Sequence, residues 1–126
     1  MDLKFYRCSV CGQVIAIVND TGMPIRCCGK EMEMLVPNTT DAMEEKHIPT
    51  VKKKDNMVYV TIGEEDHPME KDHHIEWVAI ETHCGNQRKP LMPGKEPKVC
   101  FSLCEGDEVK TVYAYCNKHG LWKSNK

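Results

Sequence analysis

Several features that would place a protein in a familiar class are missing from this sequence of 126 residues. No apolar run of signal-peptide length precedes the first cysteine, so we expect the chain to stay in a reducing cytoplasm. No apolar segment approaches the length of a membrane span, and there is no Gly-rich phosphate loop, internal repeat or low-complexity tract. We therefore expect neither a membrane protein nor a nucleotide enzyme.

An excess of charge of one sign is also missing. The formal net charge is −2, and Lys and Arg are scattered among the acids. A nucleic-acid binder needs a basic stripe that neutralises phosphates, and none is visible here. The only basic run, Lys52–Lys54, lies next to Asp55, which indicates a solvated turn rather than a phosphate site. We expect no nucleic-acid partner.

No long stretch repeats apolar residues at helical period. Short segments rich in Val, Ile, Thr and Tyr instead lie between Gly and Pro residues, and residues 109–115 alternate polar with apolar. This pattern predicts a mainly β protein, whose larger part is an immunoglobulin-like antiparallel β-sandwich. The predicted strands are 57–62, 75–82, 97–103 and 109–115.

The sequence divides into a small and a larger domain. A module of roughly 35 residues buries too little apolar surface to fold without a metal, disulfides or a partner, and residues 1–36 hold four of the eight cysteines. The turn-forming Pro37–Thr40 follows, and Asp41 with Glu44 could cap one helical turn. We place the first domain at 1–36, a linker at 37–41 and the second domain at 42–126.

The four N-terminal cysteines have the spacing of a metal site. Cys8-x2-Cys11 is followed after fifteen residues by the adjacent Cys27 and Cys28. In a reducing compartment, clustered cysteines are more often metal ligands than disulfides. Four thiolates select zinc or iron, and spacing alone does not choose between them. The alternative to a redox role is a metal that only holds the module together. Because Cys27 and Cys28 are neighbours, we expect distorted S–metal–S angles.

A second ligand set comes from the histidines, of which there are six. Residues 116–122, CNKHGLW, place a thiolate and an imidazole three residues apart at the end of a predicted strand, with a glycine to turn the chain and a tryptophan to shield the site. Strand periodicity puts His73 on the face of Ile75 and Trp77, so we choose His73 as the ligand and leave His74 outward.

These segments resemble a known family. The pattern Cys-x2-Cys-x15-Cys-Cys resembles desulforedoxin, whose rubredoxin-like iron shuttles one electron. EKHIP at 45–49, HPMEKDHHIEW at 67–77 and CNKHGLW at 116–122 resemble the catalytic domain of desulfoferrodoxin and neelaredoxin, the superoxide reductases. The resemblance spans nearly the whole chain, with four motifs in the right order. The chain is identified as a member of the desulfoferrodoxin family.

The resemblance implies two non-haem irons per chain, and one-electron reduction of superoxide to hydrogen peroxide without release of oxygen. It implies four equatorial imidazoles, an axial thiolate and an open sixth position on the catalytic iron. Glu45 would occupy that position in the resting ferric state, and Lys46 would orient the departing peroxide. The implied ligands are Cys8, Cys11, Cys27 and Cys28 for the first iron, and His47, His67, His73, His119 and Cys116 for the catalytic iron.

The resemblance also implies partners. Rubredoxin or a similar protein would re-reduce the iron, the N-terminal iron would relay the electron, and the chain would form a homodimer that detoxifies superoxide. Two rivals stay open: a non-enzymatic zinc or iron module that carries electrons or binds a partner, and, more weakly, a dismutase. The extra histidines and second thiolate favour the reductase. Cys84, Cys100 and Cys104 lie outside the motifs, and we expect buried small residues or free thiols there.

Overall fold

A computed structural model describes residues 3–39, 44–63 and 67–124, without the side chains of Glu44 and Glu45. Asp41, predicted to cap a helical turn, lies outside the described residues. The chain forms two compact units, residues 1–36 and 37–126. Within the described ranges, no helix is long and apolar enough to cross a membrane.

The N-terminal unit consists of short strands around a small buried centre. One antiparallel sheet has the order β2-β1-β5, and a two-stranded ribbon pairs β3 with β4. Among its described residues, the buried side chains are Phe5, Cys8 and Met32. So few buried groups leave much of the stability to a metal site. The strands are β1 Phe5–Arg7, β2 Val14–Ala16, β3 Arg26–Cys27, β4 Lys30–Glu31 and β5 Glu33–Met34.

The C-terminal unit is an antiparallel sandwich of a three-stranded sheet, β10-β7-β6, and a four-stranded sheet, β12-β11-β8-β9. One short helix precedes the first strand. The elements are α1 Glu44–His47, β6 Pro49–Lys54, β7 Met57–Ile62, β8 Ile75–Thr82, β9 Asn86–Pro90, β10 Lys98–Ser102, β11 Val109–Cys116 and β12 Gly120–Ser124. The predicted fold class, a mainly β protein with a metal knuckle and a sandwich, is confirmed.

The core lies between the two sheets. In β7, Val58, Val60 and Ile62 alternate with more accessible residues and are fully buried, as expected for a strand with one face on the core. Phe101 of β10 joins them in the same cluster, and Val112 of β11 packs there from the opposite sheet. Burying these aliphatic side chains stabilises the fold by roughly 1.5–3 kcal/mol each.

Both sheets end in polar edge strands. Lys52–Lys54, predicted as a solvated turn, have exposed side chains as expected, but they form the end of β6 and not a turn. An edge strand tolerates such charge. At the opposite edge, the Gln87 amide donates to the Ser102 carbonyl at 2.9 Å, and Lys89 Nζ donates to the Cys100 carbonyl at 2.6 Å. These bonds cover the free carbonyls of β10 and block further strand pairing.

The tight β11–β12 hairpin fixes one end of the four-stranded sheet. Cys116 pairs with Gly120, whose φ of +79° suits glycine, and Cys116 also pairs with Ile75 at the start of β8. Asn38, inside the predicted linker, binds β12: its side chain accepts from Lys123 N–H at 2.9 Å and donates to the Lys123 carbonyl at 3.2 Å. These pairings and bonds join β8, β11, β12 and the segment around Asn38.

Candidate metal centres

The four N-terminal cysteines converge on one point. Their sulfur atoms all lie within 4.8 Å of one another. Cys11 Sγ lies 3.7 Å from Cys27 Sγ, and Cys27 Sγ lies 3.9 Å from Cys28 Sγ. Four sulfurs about 2.3 Å from a shared ion at tetrahedral angles would be about 3.8 Å apart. The spacing thus fits a tetrathiolate metal site.

The backbone near the sulfurs favours this arrangement. The N–H groups of Val10 and Cys11 both lie 3.4 Å from Cys8 Sγ and donate to it. The pKa of Cys8 is lowered to about 6, chiefly by the bond from Cys11. Cys28 has a φ of +53°, a left-handed conformation rare for non-glycine residues. This is how two adjacent cysteines aim both sulfurs at one site.

The second centre lies at one end of the sandwich and draws ligands from distant parts of the chain. His47 is the last residue of α1, Cys116 ends β11, and His119 lies in the hairpin turn. His67 and His73 belong to the segment between β7 and β8. One donor atom from each of these five residues lies within 4.8 Å of the others.

Hydrogen bonding indicates which histidine nitrogens are left to bind a metal. His67 Nδ1 lies 2.7 Å from the Pro68 carbonyl, to which it donates, so Nε2 is left to face the centre. His67 Nε2 and His73 Nε2 are buried and have no hydrogen-bond partner in the described structure. Buried polar atoms normally have a partner, so two orphaned imidazole nitrogens aimed at one point indicate a bound metal.

The remaining metal-binding atoms are also spaced as ligands of one ion would be. His47 Nε2 lies 3.0 Å from His119 Nδ1. Two nitrogens about 2.1 Å from one ion at a right angle would be about 3.0 Å apart. Cys116 Sγ lies 3.9 Å from His119 Nδ1. The structure therefore supplies three Nε2 atoms, one Nδ1 atom and one sulfur.

The protonation states of the histidines favour metal binding. Burial lowers the pKa of His67 to about 4, and burial also lowers the pKa of His73, so both imidazoles are neutral near pH 7. Burial raises the pKa of the Cys116 thiol, while the backbone N–H groups of His119 and Lys118 donate to its sulfur and oppose that effect. A cation would hold the thiolate in this buried place.

Trp122 supports the centre from one side. Its side chain is fully buried and stacks on His47, with ring centroids 4.8 Å apart. Its indole Nε1 donates to the His119 carbonyl at 3.1 Å. Trp122 therefore positions the imidazoles of His47 and His119. It also excludes water from one side of the centre, which is the shielding role expected for it.

Asn117 was not singled out from the sequence, although it lies within CNKHGLW. Its side-chain oxygen accepts from His74 N–H at 2.9 Å, and its side-chain nitrogen donates to the Asp72 carbonyl at 3.0 Å. These bonds hold the backbone on both sides of His73. The sequence feature that could have identified Asn117 is its position between two candidate ligands, Cys116 and His119.

The other predicted residues have different positions. His74 is outside the convergent group; its Nδ1 lies 3.0 Å from the Glu70 carbonyl. Lys46 belongs to α1, next to His47, and its side chain is partly buried. The Glu45 side chain is not among those that the structure describes. Cys84 and Cys104 are exposed free thiols and Cys100 is half-buried, so none is a buried small residue.

Comparisons with known proteins agree with this geometry. The family model for the desulfoferrodoxin N-terminal domain matches residues 2–35, and the desulfoferrodoxin model matches residues 39–125. The chain belongs to the desulfoferrodoxin family. Its members carry an FeCys4 centre and an FeHis4Cys centre, and this chain has both ligand groups, which confirms the expected pair of non-haem irons.

Individual relatives extend the match over the full length. The chain is 41% identical to a desulfoferrodoxin homologue of Archaeoglobus fulgidus, over 97% of this chain and 96% of the relative. The superoxide reductase of Treponema pallidum has a similar solved structure, with 32% identity, a TM-score of 0.84 and coverage of 98% and 99%. A superoxide reductase of Thermococcus kodakarensis is 33% identical over 64% of this chain and 84% of its own.

Proposed function

We propose that the protein is a superoxide reductase, which reduces superoxide by one electron to hydrogen peroxide without releasing oxygen. The observation that carries this proposal is the convergence of four imidazoles and the Cys116 thiolate on one point. A closed tetrathiolate site satisfies a structural or electron-carrying role. Five further ligands of a different kind favour a second centre with its own chemistry.

Ferrous iron, when bound there, supplies the electron that superoxide takes up, and two protons complete the peroxide. Cys116 contributes electron density through its thiolate, as in thiolate-bound haem. His47, His67, His73, His119 and Cys116 would hold the iron.

Charge favours superoxide as the substrate. Neutral imidazoles and one thiolate would leave a ferrous centre with a net positive charge, and Lys46, the residue before His47 in α1, would add a further positive charge. Positive potential around a small site raises the encounter rate with an anion. From the motif in which it stands, we also propose that Lys46 would donate a hydrogen bond to the leaving peroxide. From the motif in which it stands, Glu45 would be a further residue that binds the iron in its ferric state.

Further parts of the proposal concern organisation. We propose that residues 1–36 form the FeCys4 domain and that residues 42–126 form the catalytic domain after a linker at 37–41. Rubredoxin or a similar protein would supply the electron, with the FeCys4 centre as a relay. We also propose a cytoplasmic homodimer that removes superoxide. The ranges of the two family matches and the two ligand groups support the division into two metal-binding domains.

The experiment that tests the function compares the wild-type protein with Cys116→Ser under pulse radiolysis. The wild type should convert superoxide to peroxide and release no oxygen. The variant should keep the fold but lose peroxide formation, since a hydroxyl does not replace a thiolate donor. Oxygen release by the wild type would indicate a dismutase. Normal turnover in the variant would remove Cys116 from the account.

A further inference from the structure

The tetrathiolate site in the N-terminal unit is buried on one side and open on the other. Cys8 is only 1% exposed and receives two backbone N–H bonds, whereas Cys11 and Cys28 are exposed to solvent. Val10, which lies between Cys8 and Cys11 in the sequence, is 58% exposed. A metal held by the four sulfurs would therefore lie close to the surface on the side of Cys11 and Cys28.

Two guanidinium groups lie beside this open side. Arg26 Nη2 donates to the Gly29 carbonyl at 2.7 Å. Arg7 Nη2 lies 3.5 Å from the position that a Cβ atom on Gly12 would occupy. Each of these glycines directly follows one of the two exposed cysteines, and both arginines are themselves exposed. An arginine therefore stands next to each exposed sulfur ligand along the chain.

The positive charge in this region is not neutralised by ion pairs. Lys30, which is also exposed, adds a third cation. The segments 7–13 and 26–30, which carry the four cysteines, contain these three cations and no acid. Glu33 and Glu31 lie across the strand pairs from Arg7 and Arg26. Among the described residues, however, no carboxylate forms an ion pair with any of the three cations. Their charge remains available to a partner.

We propose that this surface, called here the cysteine face, docks an acidic electron-carrier protein that reduces the first centre. The cysteine face consists of Arg7, Val10, Cys11, Arg26, Cys28 and Lys30. An exposed apolar residue accompanied by charged ones is typical of a protein interface, and electron-transfer complexes bury little surface. Three cations do not form the basic stripe that nucleic acids need, whereas they attract a small protein of net negative charge.

Reduction across this face needs no bond to form or break. The carrier loses one electron and is oxidised, and the first centre gains that electron. The path between the two metals is short because the sulfurs of Cys11 and Cys28 lie at the surface. The inference rests on the proposed function, in which the first centre relays electrons, and it adds the place where those electrons enter.

Cross-linking tests the location, with the iron-loaded protein and a rubredoxin of net negative charge as the carrier. A carbodiimide joins a lysine amine to a carboxylate only where the two are in contact, and mass spectrometry identifies the linked peptides. We expect links at Lys30 that high salt abolishes, because salt screens the attraction. Links confined to Lys46, Lys71 and Lys118 would place the carrier at the second centre and would overturn the proposal.

Charge variants test the role of the cations. At low salt, Arg7→Gln and Lys30→Glu should each weaken rubredoxin binding by about two- to tenfold, and should slow reduction of the first centre by rubredoxin to a similar extent. Lys54→Glu makes the same charge change as Lys30→Glu at the exposed end of β6, and it should behave as wild type. The visible spectrum of the first centre shows whether each variant keeps its iron.

Equal rubredoxin binding in Lys30→Glu, Arg7→Gln and Lys54→Glu, all with the first iron in place, would contradict docking at the cysteine face. None of these measurements uses superoxide. A failure of this proposal would therefore leave the proposed function standing, and a protein that forms no peroxide could still bind rubredoxin at this face.

Discussion

Asn117 and His74 hold each other through two hydrogen bonds: the Asn117 side chain accepts from His74 N–H at 2.9 Å, and Asn117 N–H donates to the His74 carbonyl at 3.2 Å. The contact joins the hairpin that carries Cys116 and His119 to the segment that carries His73. A side chain that binds no metal therefore sets the distance between ligands that are far apart in sequence.

Asn117→Ala should weaken iron binding at the second centre. Removing the amide frees the backbone around His73, and loss of a group that orients a ligand costs about 10–100-fold in metal affinity. The measurement is iron retained against a chelator, followed by metal analysis. Asn86→Ala removes an exposed amide in β9 at the far end of the sheet and serves as the control. Equal iron retention in both variants would contradict this role.

His73 and His74 form a matched pair of adjacent imidazoles. His73→Ala should abolish iron binding at the second centre, because Nε2 of His73 is one of the buried nitrogens with no other partner in the described structure. His74→Ala should leave iron binding nearly unchanged, since both hydrogen bonds between His74 and Asn117 use the His74 backbone. Visible absorption from thiolate bound to ferric iron, together with iron content, measures both. Loss of iron in His74→Ala alone would reverse the assignment.

Lys46→Ala should slow the bimolecular reaction with superoxide, by severalfold to about tenfold at low salt, because one nearby positive charge is lost. The rate should also depend less on ionic strength, because less electrostatic attraction is left for salt to screen. Lys54→Ala, at the exposed end of β6, is the control and should behave as wild type. Unchanged low-salt rates in Lys46→Ala would refute electrostatic steering by this residue.

Cys28→Ser should disturb the first centre and spare most of the superoxide reaction. The serine replaces one of four sulfurs that lie within 4.8 Å of one another, so the visible spectrum of the FeCys4 centre should change. Reduction of superoxide by the prereduced second centre should continue, while turnover with an external donor should slow. A folded variant in which even the prereduced protein fails to react would make the first centre obligatory.

The sequence predicted strands well where one face is buried. The bounds of β7 and β8 are those expected, and β10 and β11 differ by a residue or so at their ends. In the described part of the C-terminal unit, three strands, β6, β9 and β12, were missed, and none of the short strands β1–β5 of the N-terminal unit was given bounds. β6 and β9 are polar edge strands. They lack a clear alternation of polar and apolar residues, and they form because a neighbouring strand pairs with them. β12 continues the CNKHGLW motif after a short turn.

Parts of the site could not be predicted from local sequence patterns either. Motif spacing indicated candidate ligands, but not that His47 Nε2 and His119 Nδ1 would lie 3.0 Å apart. That distance depends on the register of β8, β11 and β12, which long-range packing determines. Likewise, the bonds from Asn117 and from the Pro68 carbonyl involve the backbone of segments that meet only in the folded chain.

The most direct test is a crystal structure of the reduced holoprotein with anomalous scattering recorded at the iron edge. We expect two iron peaks per chain, one among the four N-terminal sulfurs and one bound by His47, His67, His73, His119 and Cys116, with one side of that second iron free of protein ligands. Zinc at the second position, five dispersed side chains, or a protein group that stays bound on the free side of ferrous iron would contradict the account.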